Sequence, residues 1–311
     1  MDRDVTMAGS SRPATLDVVA TDGGSDYALL DSGNGRKLER FGKFSVDRPE
    51  PQAMWQPADA ASWSSADAVF KAGSEDEDGD GGRWRKLRPV GEPWPVHVLG
   101  VTALCRLTGF RHLGLFPEQV PHWQWMVERL QGVGGATPRV LNLFAYTGAA
   151  SLIAARAGAA VTHVDASKKA IAWAKDNQAA SKLTEAPIRW ILEDARKFVA
   201  REVRRGKRYD FILVDPPKFG RGPEGEVWDV FAHLAPLLRD CASLLAAQSA
   251  LVLTTYAIRA SALAIDGLVR ECLAGRPGRI KSGELAVIEQ SGGRLLPTSM
   301  FTRWSSHEAA S

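Results

Sequence analysis

The sequence predicts an α/β protein, with a mostly parallel sheet covered by helices on both faces, an antiparallel hairpin at its end and a small β-rich region in front. Three observations carry this. From Arg139 onward five short apolar runs alternate with five helix-length segments, the pattern of βα units that bury a parallel sheet between two helical layers. The last part breaks the rhythm: GELAVIEQSGGRLLPTSMFTRW reads as two strands joined at Ser291-Gly292-Gly293, so the sheet should finish antiparallel. Between Tyr27 and about Val101, bulky residues (Trp55, Trp63, Phe70, Trp84, Trp94) stand singly between turn signals, without helical period.

Taken in order, residues 1–25 are polar and contain glycine and serine, a composition that predicts disorder. Residues 26–109 read as a small β-rich domain. In it DYALLDSGNGRKLERFG gives a strand, a tight turn at Ser32-Gly33-Asn34-Gly35 and a return strand. PVHVLGVTALCRLTGFRH adds strand-like alternation, and Ser74–Gly82 (SEDEDGDGG), with no apolar residue, predicts a mobile acidic loop. In GLFPEQVPHWQWMVERL, Pro121 suits a first helical turn, and Trp123, Met126, Val127 and Leu130 follow at helical spacing. The βα units are then Val140–Phe144 with Ala149–Ala157, Val161–Val164 with Lys168–Lys182, and Ile188–Leu192 with Ala195–Arg205. Phe211–Val214 with Trp228–Leu245 and Ala250–Thr255 with Ala262–Ala274 complete them.

At 311 residues, 45% apolar and 24% charged, the chain suits one large globular domain with a smaller one. It has no apolar stretch of membrane-spanning length, and its first residues lack the basic start and apolar core of a signal peptide, so a cytoplasmic enzyme is expected. Cys105, Cys241 and Cys272, without CxxC spacing, argue against a disulfide scaffold or a zinc site. The net charge of +3 hides an asymmetry: residues 1–82 carry 8 basic and 16 acidic side chains, the rest 31 and 20. Arg83, Arg85, Lys86 and Arg88 cluster around Trp84, and Arg201, Arg204, Arg205, Lys207 and Arg208 form a second run. Both fit a phosphate-bearing partner; the second fits equally the C-terminal cations of a solvated helix.

The chemistry centres on RVLNLFAYTGAAS (Arg139–Ser151). A strand that breaks at a glycine and opens a helix makes an anion- or nucleotide-binding site, because the first helical N–H groups lack intrahelical partners. Only the last glycine of G-x-G-x-x-G, Gly148, is present. Asp165 ends the second strand, 17 residues on, where an acid accepts from ribose hydroxyls; its alternative is a helix cap, for which Ser167 is better placed. Asp194 ends the third strand, where it can reach an adenine edge or, equally, cap the next helix. The fourth strand delivers Asp215-Pro216-Pro217-Lys218-Phe219-Gly220. Its prolines expose carbonyls without competing N–H donors, a carboxylate beside them can hold an amino group and orient its lone pair, and Phe219 offers a face to a base.

The ordered set GLFPEQ, NLFAYTG, HVDAS and DPPKFG resembles the class I S-adenosylmethionine-dependent methyltransferases, and within them the bacterial family that includes the 23S (large-subunit) rRNA base methyltransferases. The resemblance runs from about Phe110 to Trp304. It implies a Rossmann-like seven-stranded sheet, the domain being 110–311, with S-adenosylmethionine as cofactor. Phe144, Ala145, Tyr146, Thr147 and Gly148 would hold the methionine part, Asp165 with Ala166 the ribose, and Asp194 with Ala195 the adenine. Glu118 and Gln119 would close over the cofactor, while Asp215, Pro216, Pro217 and Lys218 would lie where methyl donor and target meet. Phe219, Tyr256 and Arg259 would line the substrate side. Members that methylate cytosine C5 carry a cysteine nucleophile after the fifth strand; here Thr254–Ser261 has none. The resemblance therefore implies transfer to a base nitrogen of RNA, with rRNA as partner and neither metal nor membrane involved. A methyltransferase of proteins or small molecules is the alternative; a nicotinamide-dependent oxidoreductase or a non-catalytic RNA-binding protein fits the motifs less well.

Overall fold

The computed structural model describes residues 15–22, 24–73, 81–132, 137–256 and 258–306. It opens with β1 (Leu16–Thr21), inside the stretch whose composition predicted disorder. Strands β2 (Tyr27–Gly33), β3 (Arg36–Phe41), β4 (Phe44–Pro49), β5 (Ala68–Ala72) and β6 (Gly82–Lys86) form a five-stranded sheet in that order. The β2–β3 turn is the one expected: Asn34 and Gly35 take φ of 53° and 72°, the left-handed pair that a two-residue hairpin loop requires. Of the acidic loop, residues 74–80 lie outside the described residues, and Gly82 already belongs to β6. A hairpin of β7 (Trp94–Val98) and β8 (Val101–Cys105) precedes α1 (Val120–Gln131), which has Pro121 in its first turn.

The alternating part follows the expected order. It comprises β9 (Arg139–Leu143), α2 (Ala149–Arg156), β10 (Ala160–Asp165), α3 (Lys168–Ala180), β11 (Ile188–Leu192), α4 (Ala195–Arg204) and β12 (Tyr209–Val214). A small hairpin without a counterpart in the sequence reading comes next, β13 (Phe219–Arg221) with β14 (Val227–Asp229). Then come α5 (Val230–Leu244), β15 (Leu245–Thr255), α6 (Ala262–Cys272) and the closing hairpin of β16 (Arg279–Ile288) and β17 (Leu295–Ser305).

The main sheet runs β1-β16-β17-β15-β12-β9-β10-β11. It has eight strands, one more than expected, because β1 adds parallel to β16. β17 lies antiparallel to both β15 and β16, as the terminal hairpin predicted. Side chains alternate across the strands: Val140, Phe211, Leu213 and Val252 pack with α1 and α2, while Leu141, Ile212, Val214 and Leu251 pack with α4, α5 and α6. The first of these cores continues into Tyr27, Leu29, Phe41, Val46 and Trp94 of the β-rich region, so the two regions share one apolar interior. Among the described residues no helix is long and apolar enough to cross a membrane.

Buried charge fastens the β-rich region to the closing hairpin. Glu289 accepts from the backbone N–H and the hydroxyl of Ser32 at 2.6 and 2.7 Å, and its other oxygen takes Arg294 Nε at 2.6 Å. Asp31, fully buried, accepts from Ala58 N, Asp59 N, Trp63 Nε1 and Ser291 Oγ. Burial alone would raise its carboxyl, but these bonds outweigh it and hold Asp31 at about 2. A group with a depressed folded pKa stabilises above its unfolded value, here 3.8, and loses that contribution as pH falls through the folded one. Asp31 should therefore supply about 2 kcal/mol that disappears between about pH 4 and pH 2. Chemical denaturation over that range should show the loss in the parent and its absence in Asp31→Ala, which should also be less stable at pH 7 by about 3 kcal/mol.

Candidate active site

In the parallel part of the sheet the chain proceeds from β9 outward through β10 to β11, then returns to the other side of β9 with β12 and β15. Connections from β9 and β12 thus leave toward opposite faces and open a crevice at their carboxyl ends, where α/β sheets bind ligands. A cavity of about 550 Å³ lies there. It is lined by the β9–α2 turn, the ends of β10, β11 and β12, and the segment 110–119.

The turn after β9 is conformationally demanding. Phe144 and Tyr146 hold φ of 55° and 50°, and Gly148, the N-cap of α2, 83°. Two bulky residues in the left-handed region are costly unless the surroundings fix them. Tyr146 N donates to Asp165 at 2.8 Å, Asn177 Nδ2 donates to Thr147 O at 2.9 Å, and Thr147 Oγ1 donates to Gly114 O at 2.5 Å. A Cβ on Gly148 would stand 3.0 Å from the Ala174 methyl, so the turn is also packed tightly from below.

Asp165 uses one oxygen for Tyr146 N and the other for Ser167 N at 2.7 Å, while Ser167 itself caps α3. Each carboxylate oxygen keeps a second lone pair, which suits the two hydroxyls of a ribose. Burial raises the Asp165 carboxyl and the two N–H donors counter it. Asp194 does cap α4, its Oδ1 accepting from Arg196 N and Lys197 N, but it also lines the cavity and its Oδ2 takes no part in the cap. Both roles that its sequence position suggested are thus available together. Ala145, Ala166 and Ala195 line the same wall, with small side chains that leave room for a flat ligand.

Asp215 ends β12 with Pro216, Pro217 and Lys218 also at the cavity wall. Gln119 Nε2 donates to its Oδ2 at 3.2 Å, and Thr254 Oγ1 donates to Gln119 Oε1 at 3.3 Å, which fixes the amide and, through it, the carboxylate. Desolvation, with the nearby Glu118 charge adding to it, pushes Asp215 up to about 7. Burial raises Glu118 too. At the rim Arg111 bonds to the Tyr256 hydroxyl, its guanidinium 5.4 Å from the ring centroid.

Of the expected site residues, Glu118, Gln119, Phe144 to Gly148, Asp165, Ala166, Asp194, Ala195, Asp215 to Lys218 and Tyr256 therefore converge on one cavity. Phe219 stands outside it on β13, and Arg259 is exposed and away from its lining. Sequence reasoning did not single out Asn177, Thr254 or Arg111, whose partners lie 30, 135 and 145 residues away. No cysteine lines the cavity: Cys105 and Cys241 are buried in β8 and α5, and Cys272 is half-buried in α6. Burial pushes the Cys105 thiol up to about 12 and raises Cys241 as well, so neither is a thiolate near neutrality.

The residues present fit S-adenosylmethionine. The left-handed turn closed by Gly148, the doubly tethered Asp165 and the uncapped oxygen of Asp194 would take its amino-acid, ribose and adenine parts in turn, and the acids suit its sulfonium charge.

Comparison with known proteins agrees. Residues 124–233 match the family model "Conserved hypothetical protein 95". The ribosomal RNA large subunit methyltransferase K/L of Alteromonas mediterranea is 31% identical over 202 residues, and that of Shewanella baltica 37% over 155. These alignments cover 61% and 49% of this chain but only 28% and 21% of those proteins, so the chain spans about a quarter of their length. A SAM-dependent methyltransferase from Streptococcus mutans shares the fold at 16% identity and a TM-score of 0.67, over 90% of this chain and 75% of that one. The crystal structure of a SAM-dependent methyltransferase from Agrobacterium tumefaciens is 49% identical, superimposes with a TM-score of 0.89 and covers 95% of this chain and 97% of that one. With that agreement along nearly all of both chains, this protein belongs to the class I S-adenosylmethionine-dependent methyltransferases, and S-adenosylmethionine is its cofactor.

Proposed function

We propose that this chain methylates a base nitrogen of ribosomal RNA in the cytoplasm. The observation that carries the reading is Asp215: a carboxyl near 7, fixed by Gln119 and set between the cofactor wall and the cavity mouth. When bound, S-adenosylmethionine supplies an already activated methyl group. The chain's own work is then to hold a nucleophile in line with it and exclude water. As a carboxylate, Asp215 accepts a hydrogen bond from an amino N–H, turns the nitrogen lone pair toward the cofactor wall and can take the proton that the nitrogen releases. The lack of a cavity cysteine supports nitrogen over cytosine C5. The names of the K/L relatives and the Arg83–Arg88 cluster support RNA over a protein or small molecule.

Cofactor binding tests the first half. Asp165→Ala should weaken S-adenosylhomocysteine binding by roughly 1–3 kcal/mol in calorimetry, as expected for lost charge-assisted bonds, while the parent should bind NAD far more weakly than S-adenosylhomocysteine. The opposite preference defeats the assignment.

Asp215 tests the second. Because the ionised form accepts the hydrogen bond, the rate of methyl transfer should rise with pH to a plateau, with its midpoint near pH 7. Asp215→Asn should remove that inflection and lower kcat about 100-fold with little change in cofactor affinity. A thermodynamic effect accompanies it. The folded protein holds the Asp215 proton more tightly than the unfolded chain, where the group titrates near 3.8, so the buried carboxyl costs stability increasingly as pH rises from about 4 to about 7. Asp215→Asn should accordingly raise Tm more at pH 8 than at pH 4. A parental pH–rate profile in this variant would remove Asp215 from the reaction.

A further inference from the structure

The β13–β14 hairpin follows the Asp215–Lys218 turn directly, and its two faces differ in kind. Phe219 pairs with Asp229, Gly220 with Trp228 and Arg221 with Val227. In an antiparallel pair, cross-strand partners share a face. Gly220 and Trp228 turn inward: Trp228 is 3% exposed, and a Cβ on Gly220 would meet Pro217 Cγ at 3.6 Å. Phe219, Arg221 and Val227 turn outward, Phe219 being 59% and Val227 54% exposed, and Arg221 is exposed as well.

This outward face is held rigidly. Trp228 Nε1 donates to Pro217 O at 2.7 Å, Val230 N to Lys218 O at 3.1 Å and Arg196 Nη2 to Val227 O at 3.1 Å. Lys197 ties down both acids of the hairpin loop, Glu226 at 2.5 Å and Glu224 at 2.9 Å, and Asp229 is engaged in capping α5. The cations are placed differently. Lys218 Nζ stands 5.7 Å from the Phe219 ring centroid, Arg221 shares the Phe219 face, and among the described residues neither has an acidic partner. An exposed aromatic ring beside uncompensated cations, at the mouth of a cavity that Lys218, Gly220 and Arg221 also line, is the arrangement on which single-stranded nucleic acids stack.

We propose that Phe219 and Arg221 on the outer face of this hairpin bind the nucleotide next to the target, its base stacked on the Phe219 ring and its phosphate at Arg221. The methylated site is then an unpaired segment of RNA. This rests on the RNA reading above and adds to it. Since Phe219 lies outside the cavity, it cannot stack the target base inside, and a base paired in a duplex has no free face for it. Because the platform is fixed before the RNA arrives, little ordering cost attends binding.

Fluorescence anisotropy with a labelled 20-nucleotide single-stranded RNA of mixed sequence, and with the same strand annealed to its complement, tests this. The parent should bind the single strand more tightly than the duplex. Phe219→Ala should weaken single-strand binding about tenfold and Phe219→Trp should keep it. Arg221→Gln should weaken it and reduce the slope of log affinity against log salt by about 0.7. Melting temperature and S-adenosylhomocysteine affinity should stay at parental values in all three, which separates the effect from misfolding. Equal affinities of parent, Phe219→Ala and Arg221→Gln, or a duplex bound as tightly as the single strand, would overturn the proposal and leave the RNA reading standing. A parent that binds neither RNA would overturn the RNA reading itself. Transfer to a protein acceptor that fails in Phe219→Ala, with RNA binding unchanged, would give the face to a protein partner and also overturn it.

Discussion

The structure depends on the reversal of strand order beside β9. Because β10 and β12 flank β9 while their connecting helices leave toward opposite faces, the carboxyl ends of these strands lack a helical cover. Each of those ends carries its useful group at the same level: the 144–148 turn after β9, Asp165 after β10, Asp194 after β11 and Asp215 after β12. The register of the sheet, Leu143 beside Val164 and Val214, brings these groups together before any side chain does so. The segment 110–119 then forms a further wall, and Gly114 belongs there because a Cβ would stand 2.3 Å from the Trp173 ring.

Acids gathered in one cavity repel one another, and the protein treats them differently. Asp165 and Asp194 receive two backbone N–H donors each, which favours their ionised forms. Asp215 receives a single side-chain amide at 3.2 Å and faces Glu118, so nothing comparable offsets its burial. The groups suited to hold a cofactor remain charged, and the one placed beside the reacting nitrogen stays poised between protonation states near neutral pH. That division follows from whether a helix or turn begins at the residue. Ser167 N and Arg196 N open helical segments and point back at the acid, whereas Pro216 and Pro217 have no N–H to give.

The same distinction explains what was legible in the sequence. Five βα units show as alternating periods, their acids stand at strand ends, and the Ser32–Gly35 and Ser291–Gly293 turns declare themselves through glycine and asparagine. β1 did not declare itself. As an edge strand paired on one side it leaves Leu16 and Val18 exposed, and LDVVAT follows a polar stretch that suggests disorder. The β13–β14 hairpin, with three residues per strand and glycines at 220, 222 and 225, carries no usable period. Nor can a sequence show that Asn177, in the middle of α3, binds both Thr147 O and Leu104 N, or that Gln119 sits between Thr254 and Asp215. Such bonds join residues whose proximity only the finished fold creates. Arg259 illustrates the converse: it follows β15 closely enough to suggest the substrate side, yet it is exposed away from the cavity.

The β-rich region then has a structural consequence for the site. Its buried charges are paired internally: Arg48 binds Glu39 at 2.5 Å, Lys37 binds Glu50 at 3.1 Å, and Tyr27 donates to Glu39 at 2.8 Å. Burial would raise Glu39, but Arg48 and Lys37 hold it at about 2. Lys37, Arg48 and Glu50 also line a recess shared with Arg111, Glu118 and Tyr256, three residues of the catalytic cavity. Lys37 and Arg48 both act on Glu118, lowering a carboxyl that burial raises. Glu118 in turn helps to set Asp215. The β-rich region is thus electrostatically continuous with the reacting carboxyl, and the Asp31–Arg294–Glu289 network that fastens it to the closing hairpin helps to hold that field in place.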